Sequence, residues 1–472
     1  MRAVFRSLTS LRSVSIRPAN ATARAGHVAA AAIRCKSTGA VQRDTMTGEI
    51  ISLPDIDPSL LKIEPLKNPK TPLPSSKLVF GKTFTDHMLM IPWSSESGWA
   101  EPLIKEYGPL SLDPSSTVFH YAFCLYVRSR FRFSWALLAD PRPNSFEGMK
   151  AYRCEDGTIR LFRPDMNMAR MNRSAARIAL PQFDGEALVE LIKQMVVLDS
   201  KWIPSEPGYS LYIREPPTRF LVYRGDHLTA RVTSPGPTMI ATQNSLGVGP
   251  SSKALLFVIA SPVGPYYATG FKAISLQATT KYVRAAPGGT GGYKLGANYS
   301  PGVVPQVEAA KKGYAQNLWL HGPEHELTEV GTMNLFVVIE HPDGTTELLT
   351  PPLEDLILPG VTRDSVLTIA RDHVAGTVRV PGLPENLIVS ERKMSMPELK
   401  RLAHEGKVKE VFGAGTAAIV TSVDNIGYEG EDIPIPAGPE GLGPIAKAML
   451  DRIQGIQTGK IEHEWSVVAG RA

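Results

Sequence analysis

The chain has 472 residues, of which 43% are hydrophobic and 21% are charged. This composition is typical of a globular protein, and the length allows two or three domains with sizeable cores. No apolar run approaches the roughly 20 residues that a membrane-spanning helix needs, so the sequence predicts no membrane partner.

Residues 1–43 form an N-terminal leader that differs from the rest of the chain. It holds eight Lys and Arg residues, many Ser and Ala residues, and no acidic residue. This composition predicts a mitochondrial presequence and a location in the matrix; the alternative is a disordered basic tail. The whole chain has a net charge of +5 and the leader +8, which leaves −3 for the remainder. The basic character therefore gives no argument for nucleic-acid binding, and we expect none.

The three cysteines are too scattered to form a known framework. They are Cys35, Cys124 and Cys154, and no CxxC or Cys/His metal spacing is present. The sequence therefore predicts neither a disulfide framework nor a metal site.

From Leu78 onward, short apolar runs alternate with turns that are rich in glycine and proline. Residues 78–93 predict a strand, a turn and a second strand, and residues 186–202 have the apolar spacing of a helix. Further predicted strands are 210–213, 254–260, 335–340 and 417–423, and further predicted helices are 365–373, 396–406 and 444–459. This mixture predicts an α+β fold in two domains, with the Gly/Ser-rich segment 242–253 as the linker.

The segment 284–301 carries the strongest chemical signal, because four glycines precede Lys294 within seven residues. Glycines let the backbone approach a ligand closely, and a lysine in such a place can form a Schiff base if its pKa is lowered. Arg284 could hold a phosphate, and Tyr299 could hydrogen-bond a phenolic oxygen. The alternative is a flexible glycine loop with a surface lysine.

Three further segments suit the same kind of ligand. Glu329, Thr332 and Asn334 surround a glycine turn, and a carboxylate there could keep a pyridine nitrogen protonated. A Pro-Gly turn runs into a helix at Thr362, where free N–H groups would bind an anion. Residues 411–420 supply a second Gly/Thr turn. A lysine, an acid and two anion cradles together fit a phosphorylated pyridine aldehyde.

Five motifs resemble those of the branched-chain amino acid aminotransferases, which are fold-type IV pyridoxal-phosphate enzymes. They are "FRPDMNMARM", "GGYKLGANY", "LTEVGTMN", "LPGVTRDS" and "FGAGTAA". The resemblance implies a smaller α/β domain, residues 44–241, and a larger pseudo-barrel α/β domain, residues 254–472, assembled as a homodimer. It also implies pyridoxal 5'-phosphate as cofactor. The implied reaction is ping-pong transamination of leucine, isoleucine and valine with 2-oxoglutarate, by way of a Schiff base on Lys294.

The same resemblance assigns roles to individual residues. Lys294 is the catalytic Schiff-base lysine, Tyr299 contacts the phenolic oxygen, and Glu329 is the partner of the ring nitrogen. The other cofactor-binding residues are Arg170, Arg284, Thr332, Asn334, Val361, Thr362 and Thr416. The substrate-binding residues are Tyr121, Phe146, Tyr212, Arg214, Tyr266, Thr416 and Ala417.

Two insertions depart from the family pattern, at residues 124–145 and 215–236. The first separates "HYAF" from "FEGMKAY" and the second follows "SLYIR", so both interrupt segments that carry pocket residues. Chains usually tolerate insertions at exposed loop tips rather than at such places.

Three interpretations of the insertions remain open: a basic-aromatic binding element, lineage-specific loops, and retained introns translated in frame. Codons compatible with splice signals at the borders favour the third interpretation. If the insertions are translated, the chain could be an inactive cofactor-binding splice product. Other fold-type IV activities, those of a D-amino acid aminotransferase or an aminodeoxychorismate lyase, are further alternatives.

Peptide mass spectrometry of the native protein distinguishes these interpretations. If the first insertion is an intron, we expect a peptide that joins "HYAF" through two residues to "FEGMK". A native peptide containing "FSWALLADPRPNSFEGMK" would show that the insertion is translated and would rule out the intron.

Overall fold

The computed structural model describes residues 53–120, 145–213, 237–264, 272–438 and 441–472, and the backbone of Asn144 and of four short strands outside these ranges. The described residues all belong to one unit, Gly39–Ala472. The leader lies outside the described side chains, and so do the sites predicted at Tyr121, Arg214 and Tyr266. No helix among the described residues is long and apolar enough to cross a membrane.

Six α-helices lie in the described part of the chain. They are α1 Pro164–Arg177, α2 Gly185–Leu198, α3 Val303–Lys311, α4 Val361–Val374, α5 Met396–His404 and α6 Pro444–Gln457. Helices α2, α4, α5 and α6 confirm the four predicted helices. Two of them have side-chain caps, because Asp184 accepts N–H groups at the start of α2 and Ser395 does so at the start of α5.

The strands are numbered in chain order. They are β1 Gln42–Arg43, β2 Ile50–Ile51, β3 Lys62–Ile63, β4 His87–Ser94, β5 Gly98–Trp99, β6 Leu103–Glu106, β7 Asn144–Phe146, β8 Met149–Arg153, β9 Thr158–Phe162, β10 Ser210–Ile213, β11 Val222–Arg224, β12 His227–Thr229, β13 Thr238–Ala241, β14 Lys253–Val258, β15 Ser261–Val263, β16 Ile274–Thr279, β17 Gln316–His321, β18 Glu326–Val330, β19 Met333–Glu340, β20 Thr346–Thr350, β21 Leu387–Glu391, β22 Val408–Gly415, β23 Ile419–Tyr428, β24 Glu431–Pro434 and β25 Ser466–Arg471. The prediction of a strand at Leu78–Phe80 was wrong, because a 3-10 turn at Ser75–Lys77 and a bend precede β4.

Two sheets share one core in the N-terminal half. One has the order β15-β10-β8-β9-β25, and the other has the order β3-β6-β4-β14-β13-β7 with β5 beside β4. Their shared core also includes apolar residues of α1 and α2, such as Met168 and Leu191. In β8, Met149 and Ala151 point into this core, so the residue between them points to the opposite face of the sheet.

A nine-stranded sheet forms the other half and contains a closed ring. Its order is β18-β17-β16-β23-β22-β19, and β18 pairs back with β19; β20, β21 and β24 extend it. Alternate residues of β19 face two cores. Phe336 and Val338 pack with α4 and α6, whereas Leu335 and Val337 pack with α5. The closed ring agrees with the pseudo-barrel that was expected.

Strand pairings cross the domain boundary that was expected at residues 242–253. Strands β13 and β14 are antiparallel neighbours, so the segment 242–253 connects two strands of one sheet. The C-terminal strand β25 pairs with β9 of the first half. The division into two domains at 242–253 stays a prediction.

The insertion residues that the structure describes lie in β-strands. Ser145, the last residue of the first insertion, is fully buried and lies in β7, which pairs with β13. In the second insertion, β11 and β12 pair as an antiparallel hairpin.

We expect Phe412→Ala to lower the free energy of unfolding by about 3–5 kcal/mol, because it leaves a cavity in the core that β22 shares with α4 and α6. The Phe412 ring is fully buried and stacks on Phe336, with 5.1 Å between ring centroids. Urea unfolding measures the change. Val468→Ala, at a half-exposed position of β25, is the control and should stay within about 0.5 kcal/mol of the parent. An equal loss in both variants would contradict the packing described.

Candidate active site

The amine of Lys294 lies in a buried aromatic corner. Its side chain is 5% exposed, and Nζ lies 3.0 Å from the hydroxyl of Tyr299 and 4.4 Å from the ring centroid of Phe146. The backbone of Lys294 is fixed on both sides, because its N–H donates to Ser174 Oγ in α1 and its carbonyl accepts the N–H of Phe146. The structure therefore brings together three predicted site residues, Lys294, Tyr299 and Phe146.

The glycines before Lys294 let its loop lie against the segment that precedes α4. A Cβ on Gly291 would lie 2.5 Å from the carbonyl oxygen of Leu356, which is too close for any side chain. The N–H of Gly292 donates to the carbonyl of Asp355 at 2.8 Å, and the carbonyl of Gly292 accepts from Arg173. These two glycines thus serve close packing of the loop against the chain itself, whereas the close approach to a ligand stays a prediction.

The Glu329 carboxylate is the buried acid of the site. It is 2% exposed, and it pairs with Arg284 Nε at 2.7 Å and accepts the N–H of Leu358 at 2.9 Å. Burial raises the pKa of Glu329, and the positive charge of Arg284 opposes this rise most strongly. Lys294 also acts to lower the pKa of Glu329, so the predicted acid and the predicted lysine interact electrostatically.

Three of the predicted polar side chains donate hydrogen bonds to carbonyl groups of the loop 356–360. Arg284 Nη1 donates to the carbonyl of Leu356, Asn334 Nδ2 to that of Leu358, and Arg170 Nη1 to that of Pro359, at 3.0, 2.8 and 3.1 Å. Gly360 then makes the turn into α4, where an added Cβ would collide with Asn334 Oδ1.

The first turn of α4 has the groups that an anion site needs. Val361 and Thr362 are its first two residues, and each is 5% exposed. The N–H groups of a first helical turn have no acceptor within the helix, and the helix dipole favours negative charge there. Arg170 and Arg284 both reach the loop that leads into this turn.

Both predicted phosphate arginines are paired with carboxylates. Arg284 pairs with Glu329, and Arg170 makes a two-pronged contact with Glu147, with Nε and Nη2 each 2.7 Å from a carboxylate oxygen. Glu147 is fully buried and also accepts from Asn167. The sequence interpretation missed Glu147, although an acid directly after Phe146, a predicted pocket residue, was a signal.

A second part of the site lies at the turn between β22 and β23. Thr416 and Ala417 occupy this turn, and the carbonyl of Ala417 accepts from Lys150 Nζ at 2.8 Å. The Tyr212 ring, fully buried, lies 5.8 Å from the same Nζ and 4.9 Å from the ring of Phe80. Lys150 and Phe80 were not predicted, although Lys150 lies in "FEGMKAY", a segment that was expected to carry pocket residues.

Thr332 is exposed in the turn between β18 and β19, unlike buried Asn334 two residues later. The predicted residues Tyr121, Arg214 and Tyr266 lie outside the described residues. Among the residues that the structure describes, no group of three His, Cys, Asp or Glu side chains could hold a metal ion.

The described geometry joins a buried amine, a phenol, a carboxylate and a helix N-terminus. These groups suit a ligand with an aldehyde, a protonated ring nitrogen and a phosphate. The family model for class IV aminotransferases matches residues 144–426, which is more than half of the chain. The chain belongs to the class IV aminotransferases.

Curated relatives narrow the family further. The mitochondrial branched-chain-amino-acid aminotransferase of Saccharomyces cerevisiae is 48% identical over 414 residues, covering 87% of this chain and 93% of the relative. The cytosolic enzyme of the same yeast is 47% identical over 421 residues, covering 89% and 99%. The chain is thus a member of the branched-chain-amino-acid aminotransferases, whose similar members include mitochondrial and cytosolic forms.

Solved structures confirm the fold class. The branched-chain amino acid aminotransferase of Escherichia coli matches with a TM-score of 0.56 at 21% identity, covering 82% of this chain and 100% of that one. The branched-chain aminotransferase of the archaeon Thermoproteus uzoniensis, solved with norvaline, matches with a TM-score of 0.55 at 22% identity, covering 81% and 99%. The predicted α+β architecture of fold-type IV is confirmed.

Gly360→Ala should disturb the anion site, because its Cβ would collide with the Asn334 amide that holds the carbonyl of Leu358. We expect a loss of about 1–3 kcal/mol in the free energy of unfolding, from overpacking. We also expect weaker binding of inorganic phosphate. Gly249→Ala is the control, because nothing lies within 4 Å of its Cβ position. Unchanged phosphate affinity in Gly360→Ala would contradict an anion site at α4.

Proposed function

We propose that this aminotransferase moves the amino group of leucine, isoleucine or valine to 2-oxoglutarate, with pyridoxal 5'-phosphate bound at Lys294. The observation that carries the proposal is the buried Lys294 amine, 3.0 Å from the Tyr299 hydroxyl and electrostatically coupled to Glu329. The two sets of products are branched-chain 2-oxo acids and glutamate, formed in a ping-pong sequence.

The described residues fit this cofactor through the chemistry of their donors. Lys294 would bind its aldehyde, Tyr299 its phenolic oxygen and Glu329 its ring nitrogen. Its phosphate would take the N–H groups of Val361 and Thr362, with Thr416, Arg170 and Arg284 nearby. When bound, the cofactor supplies a protonated ring that accepts electron density from the substrate. Another branched-chain amino acid aminotransferase of the same fold was solved with pyridoxamine 5'-phosphate, which supports the choice of cofactor.

Lys294 is also the base that we propose for moving the substrate α-proton. Its Nζ lies in a buried corner formed by the Phe146 and Tyr299 rings, 4.4 and 5.1 Å from their centroids. The Tyr299 hydroxyl holds the amine in place at hydrogen-bond distance. Correct placement within about 3 Å is the first requirement for general-base catalysis.

Glu329 must stay ionised to pair with a protonated ring nitrogen. Burial raises the pKa of Glu329 and so disfavours the ionised form, and the positive charge of Arg284 opposes that effect. The paired arginine therefore supports the charge state that the proposed role requires. Asn334 lies 3.5 Å from the same carboxylate and restricts its orientation.

The proposed substrate pocket has an aromatic wall. The Tyr212 and Phe80 rings pack against each other at a tilt of 52°, and Phe146 lies on the Lys294 side. An apolar wall separates side chains that differ by one methylene by only about 1–3 kcal/mol, so all three branched-chain amino acids should react. Tyr121, Arg214 and Tyr266 complete the proposal, with Arg214 as a candidate for the distal carboxylate of glutamate.

A homodimer and a mitochondrial matrix location also belong to the proposal. The leader composition and the mitochondrial yeast relative support the location. The inactive splice product remains the second candidate, because the two insertions adjoin Phe146 and Arg214, which are predicted pocket residues.

Lys294→Ala should abolish turnover with leucine and 2-oxoglutarate, because it removes both the attachment point and the base. Loss of a general base alone costs about 10²–10⁴-fold in rate. Lys311→Ala, at an exposed position of α3, is the matched control and should keep full activity. Glutamate formation from leucine is the measured quantity.

Two results would overturn the proposal. Parental activity in Lys294→Ala would remove Lys294 from the reaction. A parent chain that binds the cofactor but never forms glutamate from leucine would favour the inactive splice product.

A further inference from the structure

Lys150 is a buried lysine that the proposed chemistry leaves unassigned. It lies in β8 and is 5% exposed. Its neighbours Met149 and Ala151 point into the core with α1 and α2, so Lys150 points to the face that meets the barrel. Lysines are rarely buried this deeply, because removing an ammonium group from water is costly.

Lys150 contacts both halves of the proposed substrate site. Its Nζ donates to the carbonyl of Ala417, 267 residues away in the chain, at 2.8 Å. It also lies 5.8 Å from the ring centroid of Tyr212, its direct neighbour across β8 and β10. One ammonium group thus links the first half to the turn at Thr416 and Ala417.

The turn that carries Thr416 and Ala417 is short, and its backbone has an unusual conformation. It connects β22 to β23, where Gly415 pairs with Ile419, and Ile419 has a positive φ of 63°. Isoleucine rarely adopts this conformation, so the surrounding contacts must hold it. The Lys150 hydrogen bond fixes the direction of the peptide group between Ala417 and Ala418 in this turn.

We propose that Lys150 is a positioning residue for the α-carboxylate of the substrate. It holds the peptide group that follows Ala417, and with it the turn that offers the N–H groups of Thr416 and Ala417 to the carboxylate, and its positive charge attracts that carboxylate. This inference rests on the proposed function, and it concerns the end of the substrate that leucine and glutamate share. Lys150 therefore differs from Arg214, which was proposed for the distal carboxylate.

Two fragments of leucine separate a charge effect from a general structural effect. The carboxylate 4-methylvalerate lacks the amino group, and 3-methylbutylamine lacks the carboxylate. We would measure the dissociation constant of each from absorbance changes of the cofactor-loaded protein. The variants are Lys150→Met and Lys150→Arg, and Lys253→Met, at an exposed lysine of β14, is the control.

In Lys150→Met, we expect the affinity for 4-methylvalerate to fall about 10- to 100-fold, as for loss of a charged hydrogen-bonding group. The affinity for 3-methylbutylamine should change less than about threefold, because that fragment has no carboxylate for Lys150 to attract. Lys150→Arg should recover part of the carboxylate affinity because it keeps the charge. If Lys150→Met fails to fold, Lys150→Gln takes its place with the same expectations.

Equal losses for both fragments would overturn the proposal and leave Lys150 with a structural role only. Unchanged affinity for 4-methylvalerate would overturn it as well. The parent chain tests the proposed function separately, because its failure to convert leucine would not depend on any Lys150 variant.

Discussion

The buried carboxylate of Glu329 is the group on which the arrangement of this site depends. It pairs with Arg284 and accepts the N–H of Leu358, so one side chain joins β18, the glycine loop and the segment before α4. A buried charge that loses its partner costs about 3–5 kcal/mol, so these three elements cannot separate freely. Because Arg284 also holds the carbonyl of Leu356, the position of the helix start follows from the same pair.

The two halves of the fold meet around this centre through a few polar contacts. Arg170 reaches the carbonyl of Pro359, Ser174 holds the N–H of Lys294, and Lys150 holds the carbonyl of Ala417. All three contacts bring a residue of α1 or β8 to a loop at the edge of the barrel. The site is therefore built at a junction, where rigid helices and strands position residues that lie on loops.

The sequence was sufficient for the parts of the site that depend on local chemistry. Glycines beside Lys294 and a Pro-Gly turn before Val361 have direct conformational reasons, and the structure shows close packing at both. Long-range contacts could not be predicted in this way. Glu147 pairs with Arg170 only because β7 and α1 are adjacent, and Lys150 meets Ala417 only after the halves assemble.

Helix α1 was missed because Asn and Arg residues interrupt its apolar pattern. The apolar run at Leu78 was misread because tertiary packing decides the secondary structure of short apolar runs.

The central claim is that Lys294, rather than another buried lysine, binds the cofactor aldehyde. The protein would be loaded with pyridoxal 5'-phosphate, reduced with borohydride so that the bond to nitrogen becomes permanent, digested, and analysed by peptide mass spectrometry. We expect the added mass on the peptide that contains Lys294. The added mass on the peptide that contains Lys150, the other buried lysine of the site, would contradict the claim.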